Sequence, residues 1–230
     1  MSRLVVAMTG ASGAIYAVRL LQVLLAAGRE VHFTFSPAAA EVMGHELGWH
    51  VDPEHFSVPS FLDNLLQTQV GSLRLPPLQT PGSSSVFSEQ PGQPSGQLFY
   101  HHYQDFRAGI ASGSFLTAGM VICPCSGGTL ASLATGQSQN LIHRAADVHL
   151  KERRKLILVP RETPLSSIAL NNMKTLSDVG GIILPAMPGF YQRPREISDL
   201  IDFVVARICD QLCVPHRLMA RWGEASALEE

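Results

Sequence analysis

Five short apolar runs, each followed by a helical pattern and each ending in a loop of small or polar residues, constrain this chain more than any other feature. The runs are LVVAMT (4–9), VHFTFS (31–36), GMVICP (119–124), KLILVP (155–160) and GIILPA (181–186). After the first, Ile15, Val18, Leu21, Leu24 and Leu25 recur at three- and four-residue steps, predicting a helix over 13–28 that Gly28 stops. Further helical patterns cover 37–48, 127–136, 141–153, 165–178 and 195–213. Strand, helix, strand in this order predicts right-handed parallel crossovers and a doubly wound parallel sheet of the α/β class. In such sheets ligands lie beyond the carboxyl ends of the strands. Function is therefore sought in the strand-end loops TGASG, Ser36, CPCSGGT, PRETP and PAMPGFY.

Composition narrows the classes. The 230 residues are 46% hydrophobic and only 16% charged, against about 25% charged for ordinary domains. A low charge count points to surface buried between subunits. The net charge of −2 argues against a general attraction to nucleic acid or membrane. No apolar run reaches the ~18 residues of a membrane span, and Arg3 and Gly10 break any leader-like start, so a cytoplasmic protein is expected. Cys123 and Cys125 lack zinc-knuckle spacing, and Cys209 and Cys213, four apart on a helical pattern, are expected in the core. Lys151, Arg153, Arg154 and Lys155 read as the solvated end of a helix. Residues 70–105, rich in Pro, Gly, Ser and Gln, read as a surface insertion in a single domain over 1–215, with 216–230 as a C-terminal tail.

The first loop admits three readings. Gly10 and Gly13 allow close backbone approach, Ser12 adds a hydroxyl, and the following helix N-terminus favours an anion. A nicotinamide dinucleotide is disfavoured, because the glycines that a TGxxxGxG loop requires fall on Ala14 and Tyr16. The partnering Tyr-x-x-x-Lys is also missing: Leu20, Gln104, Arg107 and Arg195 stand four residues after the tyrosines. The second strand ends in Ser36, not in the acid that holds a ribose. Flavin mononucleotide (FMN) in a flavodoxin-like sheet remains, beside a glycine turn with no ligand.

The later loops favour the flavin. Ser126, Gly127, Gly128 and Thr129 form a second small, donor-rich strand end. Arg161 and Glu162 put two charges at the next one, costly unless used or paired. Tyr191 and Arg193 offer phosphate donors. Arg207 stands on an apolar helix, either snorkelling or reaching an anion. Glu46 alone would be a solvated carboxylate, and Arg144 and Lys151, seven apart on one helix face, surface charges.

Taken together, TGASGAIYAVRLL, the Ser36 strand end, IASGSF, CPCSGGTLASLATG, NLIHRAADVHLKERRKLILVPRETPLSSIALNNMKTL and GGIILPAMPGFYQRP resemble the UbiX flavin prenyltransferases over 1–50 and 106–225. The resemblance implies a flavodoxin-like fold, a homododecamer and no metal. It implies that reduced FMN and dimethylallyl monophosphate are joined through flavin N5 and C6 into prenylated FMN, the cofactor of UbiD-type decarboxylases. Carried over by position, FMN contacts fall on Gly10, Ala11, Ser12, Ser36, Ser126, Gly127, Gly128, Thr129 and Arg161. The prenyl-phosphate site falls on Tyr191 and Arg207, with charge from Arg144 and Lys151 of a neighbouring subunit or near its boundary. Acid/base roles fall on Glu46 and Glu162, with Ser12 near N5. Two other readings share the fold: an FMN-dependent decarboxylase of the phosphopantothenoylcysteine type, whose PxMNxxM segment is here Leu170-Asn171-Asn172-Met173, and a non-enzymatic flavin carrier.

Overall fold

The computed structural model describes residues 2–67, 69–70, 73–78 and 96–221. The central strand β1 (Arg3–Met8) is buried from Leu4 onward, with Leu4, Val6 and Met8 on one face and Val5 and Ala7 on the other. Burial on both faces is why this strand is a continuous apolar run. The chain continues through α1 (Ala14–Ala26), β2 (Glu30–Phe35), α2 (Pro37–Leu47), α3 (Val58–Leu66) and a small antiparallel ribbon of β3 (Gln69–Val70) and β4 (Leu73–Arg74). Then come β5 (Gln97–Tyr100), a short 3₁₀ turn (Gly109–Ala111), β6 (Gly119–Cys125), α4 (Gly127–Ala134) and α5 (Leu141–Lys151). The last elements are β7 (Lys155–Pro160), α6 (Ser167–Asp178), β8 (Ile182–Ile183) and α7 (Ile197–Leu212).

The sheet order is β5-β2-β1-β6-β7-β8, with every pair parallel. Without its edge strand β5 this is the flavodoxin order, and the switch point, where such folds bind FMN, lies between β1 and β6. One face is covered by α1, α2, α3 and α7 around Phe33, Phe35, Val204 and Ile208. The other is covered by α4, α5 and α6 around Ile122, Leu141, Leu158 and Leu176. A buried two-pronged ion pair joins α1 to α7, with Arg19 Nε and Nη2 donating to Asp202 Oδ1 and Oδ2 at 2.6 and 2.9 Å. Arg19 Nη1 also donates to the Pro76 carbonyl at 2.9 Å, which ties the 73–78 segment to the core.

Several expectations are corrected. The end of the expected surface insertion is part of the sheet: β5 pairs with β2 from Glu30↔Gln97 to Phe33↔Tyr100. Its four residues carry no readable period, and the open edge of β2 organises them. The Tyr100 hydroxyl then anchors the strand by donating to the Pro53 carbonyl at 2.8 Å. Residues 79–95 of that expected insertion lie outside the described residues. The helix α3, absent from the sequence reading, buries Phe61 and Leu65. The run 181–186 ladders only at Ile182 and Ile183, although Leu184 and Ala186 still donate to the Leu158 and Pro160 carbonyls at 2.8 and 3.0 Å. Cys209 is buried but Cys213 is exposed, because α7 ends there in a left-handed cap. Of Lys151, Arg153, Arg154 and Lys155, expected as a solvated helix end, Arg154 alone is half-buried and donates to the Phe115 and Gly113 carbonyls, while Lys155 stays exposed and donates to the Gln211 carbonyl at 2.6 Å. The beginning of the expected tail folds back on α7, where Asp210 holds His216 at 3.1 Å and Arg221 at 2.9 Å. Residues 222–230 lie outside the described residues.

Candidate functional site

The loop after β1 is held in place from three sides. Thr9 donates through its backbone nitrogen and its hydroxyl to the Pro124 carbonyl at 3.2 and 2.9 Å. Ser126 N then donates to the Thr9 hydroxyl at 2.8 Å, so one buried threonine ties the β1 loop to the β6 loop. From β7, Arg161 Nε donates to the Ser12 carbonyl at 3.2 Å. From β2, Ser36 N donates to the Met8 carbonyl at 3.0 Å. Gly10 permits this convergence, since a Cβ there would stand 2.6 Å from Ala38 Cβ. Gly13 caps α1 with φ at 111°, a left-handed conformation that only glycine adopts freely.

Two serines set the neighbouring helices. The Ser36 hydroxyl accepts from Ala39 N at 3.2 Å and starts α2. The Ser126 hydroxyl accepts from Thr129 N at 3.3 Å, bonds the Thr129 hydroxyl at 3.0 Å and starts α4. Gly10, Ala11, Ser12, Ser36, Ser126, Gly127, Gly128, Thr129 and Arg161 are thus gathered at one edge of the sheet, around its switch point. A Cβ on Gly127 or Gly128 would meet nothing within 4 Å, so α4 opens onto free space there.

One element differs from the sequence reading. The anion position at the start of α1 is filled by the chain itself. Glu46, from the end of α2, accepts from Gly13 N with both carboxylate oxygens at 3.0 Å and from Ala14 N at 2.8 Å. A carboxylate on a helix N-terminus satisfies orphan amides and opposes the helix dipole. Among the described residues, the amides left for a ligand include those of Gly10 and Ser12 in the β1 loop and of Gly127 and Gly128 in the first turn of α4. No sequence signal marks the Glu46 bond, which spans 33 residues. Thr9 escaped the sequence reading too, although a hydroxyl at a strand's end was a readable cue.

The charged candidates separate. Glu162 is exposed at the end of β7 and accepts from Thr163 N at 3.2 Å. Among the described residues no ion pair joins it to Arg161. Tyr191 is 54% exposed, edge-on to Phe203 with ring centroids 5.6 Å apart. On α7, Arg207 Nη1 donates to Asp210 at 2.7 Å. Arg144 and Lys151 lie on α5, whose apolar side packs on the opposite face of the sheet from α7. There Arg144 donates to Asp147 at 2.8 Å and to the Ala111 carbonyl at 3.0 Å, while Lys151 pairs with Glu152. A single chain therefore does not bring Arg144 and Lys151 to Tyr191 and Arg207.

The comparisons with known proteins agree with this geometry. A family model described as Flavoprotein matches residues 1–209. The flavin prenyltransferase UbiX of Pseudomonas aeruginosa is 46% identical over 222 residues, 96% of this chain and 94% of that protein. This chain belongs to the UbiX flavin prenyltransferase family. Two solved UbiX-type structures superpose along almost its whole length. One is a UbiX protein in complex with FMN and dimethylallyl pyrophosphate, with TM-score 0.76, 34% identity, and 97% of this chain and 98% of that one covered. The other is a dodecameric FMN-dependent UbiX-like decarboxylase from Escherichia coli, with TM-score 0.74, 37% identity, and 96% and 98% covered. This chain fits FMN on its own geometry: open space and free amides at Gly127 and Gly128, loops of small residues, and the Arg161 guanidinium on the Ser12 carbonyl of the β1 loop.

Proposed function

We propose that this protein is a flavin prenyltransferase that joins the dimethylallyl group of dimethylallyl monophosphate to reduced FMN, giving prenylated FMN. The observation that carries the reading is the convergence of the β1, β2, β6 and β7 loops on one switch point, in a chain that belongs to the UbiX family. Bound reduced FMN would supply N5 and C6, each exchanging a proton for a bond to a prenyl carbon; the prenyl carbon between the two new bonds takes up one proton as its double bond is consumed, phosphate leaves, and the flavin gains one C5H8 unit.

The chain's residues divide the remaining work. The Gly127 and Gly128 amides, Ser36, Thr129 and Arg161 hold the flavin. Arg207, the Tyr191 hydroxyl and, from a second copy, Arg144 and Lys151 hold the leaving phosphate and stabilise its charge. The apolar wall of Tyr191 and Phe203 takes the five-carbon tail and keeps water from an allylic cation. Alignment of the two substrates contributes much of the acceleration. Glu162, exposed and not held by Arg161, takes the proton that leaves C6. Ser12 stands near N5. Glu46 acts beneath it, fixing the turn that carries Ser12.

We place the assembly as a homododecamer, supported by the sparse charge of the chain and by the dodecameric relative. A UbiD-type decarboxylase is the recipient of the product. Four free cysteines fit a reducing cytoplasm. The test is anaerobic incubation with reduced FMN and dimethylallyl monophosphate, followed by mass spectrometry of the released flavin. A gain of one isoprenyl unit is expected. Recovery of unaltered FMN with both the monophosphate and the diphosphate donor would overturn the reading in favour of a flavin carrier.

A further inference from the structure

We infer that Asp210 is a positioning residue for Arg207, and that Arg221 shares its carboxylate so that a phosphate ester reaching Arg207 meets a held guanidinium in a cluster of net positive charge; this rests on the prenyltransferase reading. Arg207 stands one turn beyond Phe203 on α7, so the two share a helix face. Tyr191 packs edge-on against that same Phe203. Gly189 lets its loop come this close, since a Cβ there would stand 3.0 Å from Phe203 Cζ. Arg207 is therefore one helical turn from the wall proposed for the prenyl tail. Its Nη1 donates to Asp210 Oδ2 at 2.7 Å, and its Nε and Nη2 have no partner among the described residues.

An exposed arginine–carboxylate pair holds its side chains weakly when it stands alone. Here the carboxylate is itself fixed. After α7 the chain turns at Cys213, buries Val214 and packs Leu218 on the α1/α7 core. That return brings two donors to Asp210 Oδ1: His216 Nε2 at 3.1 Å and Arg221 Nη2 at 2.9 Å. His216 Nδ1 accepts from Leu218 N at 3.4 Å, so the imidazole donates through Nε2 while neutral. One carboxylate therefore answers two guanidinium groups, and the cluster keeps a net positive charge. With Arg207 alone the pair would be neutral. The same returning segment is fastened to the Tyr191 loop, where Gln192 Nε2 donates to the Ala220 carbonyl at 2.8 Å. Arg207 is thus held at one prong and presents the others, which suits the oxygens of a phosphate.

The test is binding of dimethylallyl monophosphate to protein loaded with oxidised FMN, measured over a range of salt. Arg221→Gln keeps a donor for Asp210 and removes the surplus charge. It is expected to weaken the phosphate ligand roughly tenfold at low salt and to flatten the salt dependence of its dissociation constant. Arg221→Lys is expected to restore both. Asp210→Asn keeps the shape, but one amide oxygen cannot serve donors on both sides, so Arg207 is released. This variant is expected to bind the phosphate about threefold more weakly, although it gains net positive charge. Unchanged or tighter binding by Asp210→Asn would overturn the positioning role, since the carboxylate would then only damp the charge. Wild-type affinity and salt slope in Arg221→Gln would overturn the shared charge. Unchanged FMN affinity and unfolding midpoint show that the variants fold and keep the flavin site. Failure of the wild-type protein to bind dimethylallyl monophosphate would sink the prenyltransferase reading itself and is visible separately.

Discussion

The two faces of the sheet do different work. The α1/α7 face is nearly all hydrocarbon, with Tyr16 and Phe203 packed on it and Arg207 on α7, beside a loop that Glu46 and Thr9 hold in place. The α4/α5 face supplies the open glycine turn, but it also holds Arg144, Lys151 and buried histidines, and it turns its cations away from the first face. On the proposed function, the difference teaches that one chain would build a flavin cradle and half of a phosphate pocket. The other half would then come from a second copy, in an assembly in which α5 of one chain meets the mouth of another.

The sharpest probe is at the mouth itself. Glu162→Gln is expected to slow formation of the final product by roughly 10²- to 10⁴-fold, while FMN binding survives. Rapid-quench mass spectrometry should show a singly attached prenyl-flavin accumulating. Wild-type rates would remove Glu162 from the proton transfer.

The second probe separates the faces by pH. Burial lowers His149 to about 4, and it also lowers His32, His101 and His143, all from an unfolded value near 6.5. His32 bonds His101 at 2.8 Å and Glu30 at 3.0 Å. A base whose folded pKa is depressed contributes stability that is fully present above its unfolded value. That stability is lost as pH falls from 6.5 toward 4. His149 alone accounts for roughly 3 kcal/mol at most. Denaturant melts from pH 7.5 to 4 should show the loss, and hydrogen exchange should show α5 opening before α1. Flat stability across that range would contradict neutral burial of these histidines.

Complementation tests the shared pocket directly. Lys151→Ala and Arg207→Ala should each raise KM for dimethylallyl monophosphate by about 10- to 100-fold. Oligomers formed from a mixture of the two variants should recover part of the activity, because some sites then combine both intact halves. No recovery in verified mixed assemblies would mean that Lys151 serves its own chain.

The smallest expected effect lies in the cradle. Glu46→Ala uncaps α1 and should cost about 1 kcal/mol, read as a lower unfolding midpoint. Glu46→Gln, which keeps an acceptor, should retain part of that. If Glu46→Gln abolishes turnover with no change in stability, the carboxylate does proton chemistry as well as capping.

Most of the fold was legible because it is local. An apolar run of four to six residues, a three-to-four-residue period and a closing glycine declare strand and helix without reference to anything distant. The loops TGASG, CPCSGGT and PRETP were legible in the same way, as small or charged residues at strand ends. What lies between residues far apart in sequence was not. The four residues of β5 become a strand only because β2 offers an open edge. Glu46 reads as a surface acid until the end of α2 comes to rest over the first turn of α1, 33 residues away. The common face of Arg144 and Lys151 follows from their spacing of seven. That this helix packs on the far side of the sheet from Arg207 follows from the winding of the chain. The sequence by itself determined most of the elements and the loops at the ligand end of the sheet, and through its family resemblance the kind of ligand. The tertiary structure decided which of those groups share a site, because hydrogen bonds and charges act over a few ångströms in space, whatever the distance along the chain.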